Sequence, residues 1–454
     1  MKLTIITATS RHGLAGGSIW QWYLENVIRD TPYEVLDVTN VPHITGDRVL
    51  LMGQKVVSLY IHPELSLLKA RGNLYQVAGL PAIPTFDLQE AYDFKAVDDN
   101  TKDDTFSKDK AKTLRTNWLF WIKADTGKLL RPIKQPTVPS VVVQPNLVQY
   151  TKYLLGVRGT TVYLDIETDR TSDTLDCIGL YVEGGKHVVV VPIYRHTGKL
   201  AYAQLHILRY LAALSYVLRN NRVVVHNAMF DLLYLSSHYR LPFGPDIFDT
   251  MLAHKRALPE IEKSLGHAIS YWTWQIYHKD QHTINTNLEN EQQLWQYNAK
   301  DVWSMREVYL AQLIAIKEDD GLRRSVEQAN ASVYPYLLAS LKGVRVDVSV
   351  LGNMKVAADR RIKQILRVIH VLIGDPKFNP NSSQQLVRYF HTKLAYKVQS
   401  RTPTGAPSLD SKSLYSLALR YNNPLIQCII HYHEIVKERS MMQFSNLIYP
   451  WQSL

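Results

Sequence analysis

Three short stretches, far apart in the chain, hold the residues best suited to chemistry. They are Asp165-Ile166-Glu167-Thr168, His226-Asn227-Ala228-Met229-Phe230-Asp231 and Tyr297-Asn298-Ala299-Lys300-Asp301. Carboxylates gathered into one pocket repel and raise each other's pKa unless a cation joins them. Hard divalent ions such as Mg²⁺ or Mn²⁺ prefer carboxylate oxygens. Two such ions roughly 3.5–4 Å apart can bind both the attacking and the leaving oxygen of an in-line displacement at phosphorus. An isolated Asp-x-Glu is an ordinary solvated turn, and Tyr-x-x-x-Asp occurs on many amphipathic helices. The ordered set carries the meaning.

The elements that must position these acids can be read from the surrounding pattern. Thr161 to Leu164 is a β-branched, apolar run, which puts Asp165 and Glu167 at the end of a strand and, with period two, on one face. Val223 to Val225 predicts a second buried strand, with Asp231 opening the helix that follows. Tyr297 and Asp301 lie four apart in a helical pattern from about residue 290 to 315, so they share a face. Cys177 to Val182 and His187 to Tyr194 predict strands joined at Gly184-Gly185, and Ala203 to Arg219 has helical spacing. His226 and His254 read as packing or hydrogen-bonding residues, not metal ligands.

Together the three stretches resemble the DEDD family of 3′→5′ exonucleases, in its tyrosine subclass. The resemblance implies an α/β, ribonuclease H-like domain with a mixed sheet and two Mg²⁺ or Mn²⁺ ions. Asp165 would bridge the metals, and Glu167, Asp231 and Asp301 would complete their shells. Tyr297 would orient the attacking water, because a phenol with a pKa near 10 is a poor general base. Thr168, Asn227 and Phe230 would contact substrate, and Phe230 or one of several nearby tyrosines would stack on the terminal base. Phe248-Asp249-Thr250-Met251-Leu252-Ala253 and Lys263-Ser264-Leu265-Gly266 are similar to the proofreading domain of family A DNA polymerases.

That second resemblance continues downstream. Leu341 to Asp347 looks like the turn after the first polymerase-domain helix. Phe378 to Leu386 is similar to the family's thumb segment, with Asn381 or Ser382 as N-cap. Thr402 to Ser408 matches the loop before the next thumb helix. Nothing resembles the palm or fingers, so the resemblance implies an exonuclease with a thumb-like region whose polymerase half is a separately encoded palm-and-fingers chain or has been cut away. DNA, as a single strand or a frayed 3′ end, would be the substrate. The competing readings are an inert exonuclease fold serving as a DNA- or polymerase-binding subunit, and an RNA 3′-end trimming nuclease.

The expected organisation is an N-terminal α/β module over residues 1–135, the exonuclease domain over 140–320 and a helical, basic, thumb-like region over 321–454. A proline-spaced stretch (Pro132, Pro136, Pro139, Pro145) separates the first two, and Lys95 to Lys112, dense in mixed charge, reads as an exposed loop. In the first region Arg48 to Val56 predicts strand, glycine turn and helix, and Leu80 to Phe86 another strand. These weakly resemble the C-terminal half of the uracil-DNA glycosylase fold without its active-site motifs, since Phe86-Asp87 stands where His-Pro is usual. Arg11 to Gly17 is glycine-rich but lacks the Lys-Ser/Thr of a phosphate loop.

Composition bounds the rest. With 454 residues, 46% hydrophobic and 20% charged, the chain has the makeup of a globular protein of two to four domains. No apolar run approaches the roughly 18 residues of a membrane span, and no secretory signal is evident. Cys177 and Cys428 stand alone, which excludes a disulfide framework and fits a reducing cytoplasm. Of the net charge of +11, residues 331–454 carry 16 Lys+Arg against 6 Asp+Glu, a basic surface suited to a phosphate backbone. The uncharged stretch Met441 to Trp451 is expected to dock the missing polymerase chain.

Overall fold

The structure is a computed structural model that describes residues 1–8, 17–38, 44–88, 105–134, 140–169, 173–259, 261–275, 291–401 and 407–442. The glycine-rich stretch from Arg11, Pro136, Pro139, residues 402–406 and nearly all of the closing apolar segment lie outside them. The chain divides into two compact units, Met1–Lys342 and Gly343–Leu454. Both sheets of the first unit are mixed and helices surround them, an α/β architecture. Among the described residues no helix is long and apolar enough to cross a membrane.

The first sheet comprises β1 (Leu3–Thr7), β2 (Tyr33–Asp37), β3 (Arg48–Met52), β4 (Tyr75–Val77) and β5 (Leu80–Thr85), in the order β2-β1-β3-β5-β4. All pair in parallel except β4, which runs antiparallel to β5. Its helices are α1 (Gly17–Tyr23), α2 (Gln54–Tyr60), α3 (Leu67–Ala70) and α4 (Thr105–Leu130). Gly53 joins β3 to α2 at φ +93°, a backbone conformation that suits glycine. Alternation places Leu3, Ile5, Leu50 and Ile83 on one face, against Trp20, Trp121 and Ile122, and Ile6, Val49 and Leu51 on the other. The charged stretch ending at Lys112 is not all loop. Its last residues, from Thr105, begin α4, whose apolar end is held in the core by Trp121, Ile122 and Leu129.

The second sheet comprises β6 (Ser140–Val143), β7 (Thr161–Asp169), β8 (Thr174–Val182), β9 (His187–Pro192), β10 (Arg222–Val225) and β11 (Ile247–Asp249). Their order is β11-β10-β7-β8-β9-β6, with β7 and β8 antiparallel and β7 and β10 parallel. Helices α5 (Leu147–Leu154), α6 (Gln204–Asn220) and α7 (Ala228–Tyr239) pack with one face. Helices α8 (Thr250–Ala257), α9 (Leu265–Trp272) and α10 (Glu291–Glu318) pack with the other. Helices α11 (Asp320–Ala331) and α12 (Val333–Lys342) complete this unit. Along β7, Val162, Leu164 and Ile166 enter the core shared with α6 and α7, whereas Tyr163 enters the core shared with α10. Period two therefore turns Asp165 and Glu167 toward α10. β7 runs on past both acids to Asp169, with its register shifting between Glu167 and Thr168.

The second unit is mostly helical: α13 (Val348–Ile373), α14 (Ser383–Val387), α15 (Ser411–Tyr421) and α16 (Pro424–Met441), plus the short ladder of β12 (Ser400–Arg401) and β13 (Pro407–Ser408). Asp347 caps α13 by accepting from the Ser349 and Val350 amides, and Ser382 caps α14 by accepting from the Gln385 amide. Ile369, Phe378, Leu386, Phe390, Leu417 and Ile426 form its core.

Candidate metal centre

Asp165 and Glu167 come from the middle strand, and Asp301 comes from one face of α10. Their carboxylate oxygens lie within 4.8 Å of one another. Asp301 is buried and the other two are half-buried. Asp231, in the first turn of α7, is 2% exposed, and its Oδ1 accepts from the backbone amide of Ile166 at 3.0 Å. It thus stands behind the strand segment that carries the first two acids. Tyr297 is buried one helical turn before Asp301.

The electrostatics at this site run one way. Burial raises the Asp231 carboxyl well above the ordinary carboxylate range. The Ile166 amide opposes that rise, and Glu167 and Asp249 add to it. Cys177, paired across the ladder with Glu167, has its thiol pushed up first by burial and then by Glu167, Asp176 and Asp165. The donor set is oxygen only and strongly negative, which fits a hard divalent cation and does not fit a soft thiolate-seeking metal. Asp165, Glu167 and Asp301 would hold such an ion directly.

Residues outside the expected site set build this geometry. Asn298 donates from Nδ2 to the Asp165 carboxylate at 2.7 Å and to its carbonyl at 3.2 Å, tying α10 to β7. Gly179 lies opposite Asp165 in the ladder, and a Cβ there would sit 2.2 Å from Asn298 Oδ1 and 2.8 Å from Val302. Only glycine lets α10 approach this closely. Asp249 accepts from the amides of Asn227, Ala228, Met251 and Leu252 at 2.8–3.3 Å, so one buried carboxylate holds the starts of both α7 and α8. Its own amide donates to Asn330 Oδ1 on α11 at 2.5 Å. Asn298 lay within the third stretch but without a spacing signal of its own. Gly179 and Asn330 had none.

The other expected site residues fall nearby in sequence and differ in setting. Asn227 adopts a left-handed conformation, φ +83°, at the turn from β10 into α7, a position asparagine tolerates better than most residues. Phe230 is 43% exposed, and Thr168 is half-buried at the end of β7. The two histidines are structural. His226 bonds the Thr250 hydroxyl at 2.9 Å and the Lys263 carbonyl at 3.0 Å. His254 accepts at Nδ1 from the Trp272 indole and donates from Nε2 to the Glu262 carbonyl, both at 2.9 Å. Burial lowers its pKa to about 4.

No protein-family model matches the chain. Among solved structures it is similar to the POL domain of Pol1 from M. smegmatis in complex with DNA primer-template and dNTP. That likeness has 16% sequence identity and a TM-score of 0.42, and covers 67% of this chain. The chain spans about half, 49%, of the length of that protein, too slight a likeness to carry fold or function from one to the other.

Proposed function

We propose that the chain is a metal-dependent 3′→5′ DNA exonuclease of ribonuclease H-like fold that proofreads for a family A DNA polymerase. The observation that carries this reading is the convergence of Asp165, Glu167 and Asp301 within 4.8 Å, with Asp231 fixed on the Ile166 amide behind them. A divalent cation held there supplies Lewis-acid polarisation of a phosphoryl oxygen and an acidified water. The remaining work falls to the chain. Asn298 holds the Asp165 carboxylate in one orientation, and the Tyr297 hydroxyl positions the water. Phe230, with its ring in the open, stacks on the terminal base. Residues from the second unit grip duplex phosphates, and a palm-and-fingers chain is the partner this reading assigns.

The test is release of 5′-monophosphates from DNA 3′ ends in Mg²⁺ or Mn²⁺. Asp165→Ala with Glu167→Ala should abolish release while circular dichroism stays unchanged. Full activity in that double variant would overturn the assignment, and equal rates on matched RNA would overturn the choice of DNA.

A further inference from the structure

A cleft of about 1520 Å³ lies within the first unit, away from the carboxylates, between α4 with the chain after α1 on one side and α9 with the far half of α10 on the other. Its volume exceeds the roughly 300–1,000 Å³ of pockets for small molecules. One side is cationic: Arg29, Lys123, Arg131 and Lys134 line it. Four acids also line the cleft, but Asp125 and Glu307 are already held by Arg71 and Arg306. That leaves Asp30 and Glu318 facing four cations, because burial lowers the pKa of the fifth, Lys128, to about 7.

The α10 side is mostly apolar. Leu310, Ala311, Ile314 and Ala315 form one stripe on α10, and Ile314 is 59% exposed. Tyr271 and Trp274 border the cleft where these sides meet, packed on the core that α4 joins, with Phe120 of α4 stacked on Tyr271 at 6.0 Å. The floor is rigid. Lys128 donates to the Gly72 carbonyl at 2.6 Å and to the Ser270 carbonyl at 2.7 Å, and its Nζ sits 5.1 Å from the centre of the Trp274 ring.

We infer that this cleft binds a segment of single-stranded nucleic acid, with phosphates along the α4 wall and bases against Tyr271, Trp274 and the α10 stripe. A strand presents regular anions on one edge and flat rings on the other, which matches the two walls. An acidic peptide would satisfy the cations and leave the rings without a flat partner. The inference does not depend on the metal centre, because none of the cleft's lining residues belongs to it.

The test uses the full chain in excess chelator, so that failure of the nuclease reading cannot affect it. Binding of a labelled oligothymidylate of about twelve nucleotides is followed by anisotropy from about 50 to 200 mM salt. Lys123→Ala with Arg131→Ala should lower the slope of log affinity against log salt by about 1.4, from about 0.7 per phosphate contact on a single strand. Trp274→Leu, which keeps an apolar side chain but removes the ring, should weaken binding about fivefold or more. An iodouridine-substituted strand should photo-crosslink to the peptide carrying Tyr271 and Trp274. Unchanged slope and affinity in both variants, crosslinks confined to other peptides, or displacement by polyglutamate at equal charge concentration would each overturn the inference.

Discussion

Asp125 and Asp231 are each 2% exposed and lie in the same compact unit, yet they are buried in opposite company. Asp125 receives Arg71 through two bonds of 3.1–3.2 Å and the Thr85 hydroxyl at 2.9 Å, with the Arg71 guanidinium seated 3.3 Å from the centre of the Trp121 ring. Asp231 receives two backbone amides, those of Ile166 and Asp231 itself, and faces Glu167 and Asp249. The first is a closed ion pair that locks α4 to the strand carrying Thr85. The second stands beside acids whose oxygens are close enough together to share a cation. Burial of a carboxylate says little about function until its neighbours are counted.

The comparison breaks most visibly at Arg71. Arg71→Met leaves Asp125 buried without its cation and should cost about 3–5 kcal/mol, read from urea denaturation. A loss below about 1 kcal/mol would mean the pair behaves like a surface one.

A third buried ionisable group, His254, sharpens the contrast because it is held neutral. Its folded pKa, about 4, lies below the ordinary 6.5. Between those values the unfolded chain takes up a proton that the folded chain refuses. Stability is therefore full above pH 6.5 and should fall by about 3 kcal/mol as pH drops to 4. Denaturation curves across that range should show the loss in the parent chain and a smaller one in His254→Gln.

Gly179→Ala tests how closely α10 must approach the acids. Its methyl would collide with Asn298 and Val302, and overpacking of this kind costs about 1–3 kcal/mol. Weakened Mn²⁺ binding by calorimetry should accompany it, and unchanged affinity would detach Asn298 from the site.

The smallest expected effect has the opposite sign. Asp231→Asn keeps an oxygen for the Ile166 amide and removes a carboxyl whose ionised form is opposed by burial, Glu167 and Asp249. In chelator it should melt slightly above the parent chain, and it should lose the upward shift that Mn²⁺ gives the parent. If it melted lower in chelator, as Asp125→Asn should, the two carboxylates would be alike after all.

Much of the candidate site was legible in the chain itself, because its signals are local. Period two along Thr161 to Glu167 places two acids on one face of a strand, and a spacing of four places Tyr297 and Asp301 on one face of a helix. The hairpin at Gly184 and the cap at Ser382 follow from backbone chemistry within a few residues. Tertiary structure alone decided the rest. Asn298 reaches Asp165 across 133 positions, Gly179 matters only because α10 lies over it, and Asp249 joins two helix starts. The cleft sets the end of α4 beside a stretch of α10 more than 170 residues further along the chain. Periodicity states which face a side chain occupies. Which faces meet depends on how strands order themselves and helices pack, and no local pattern records that.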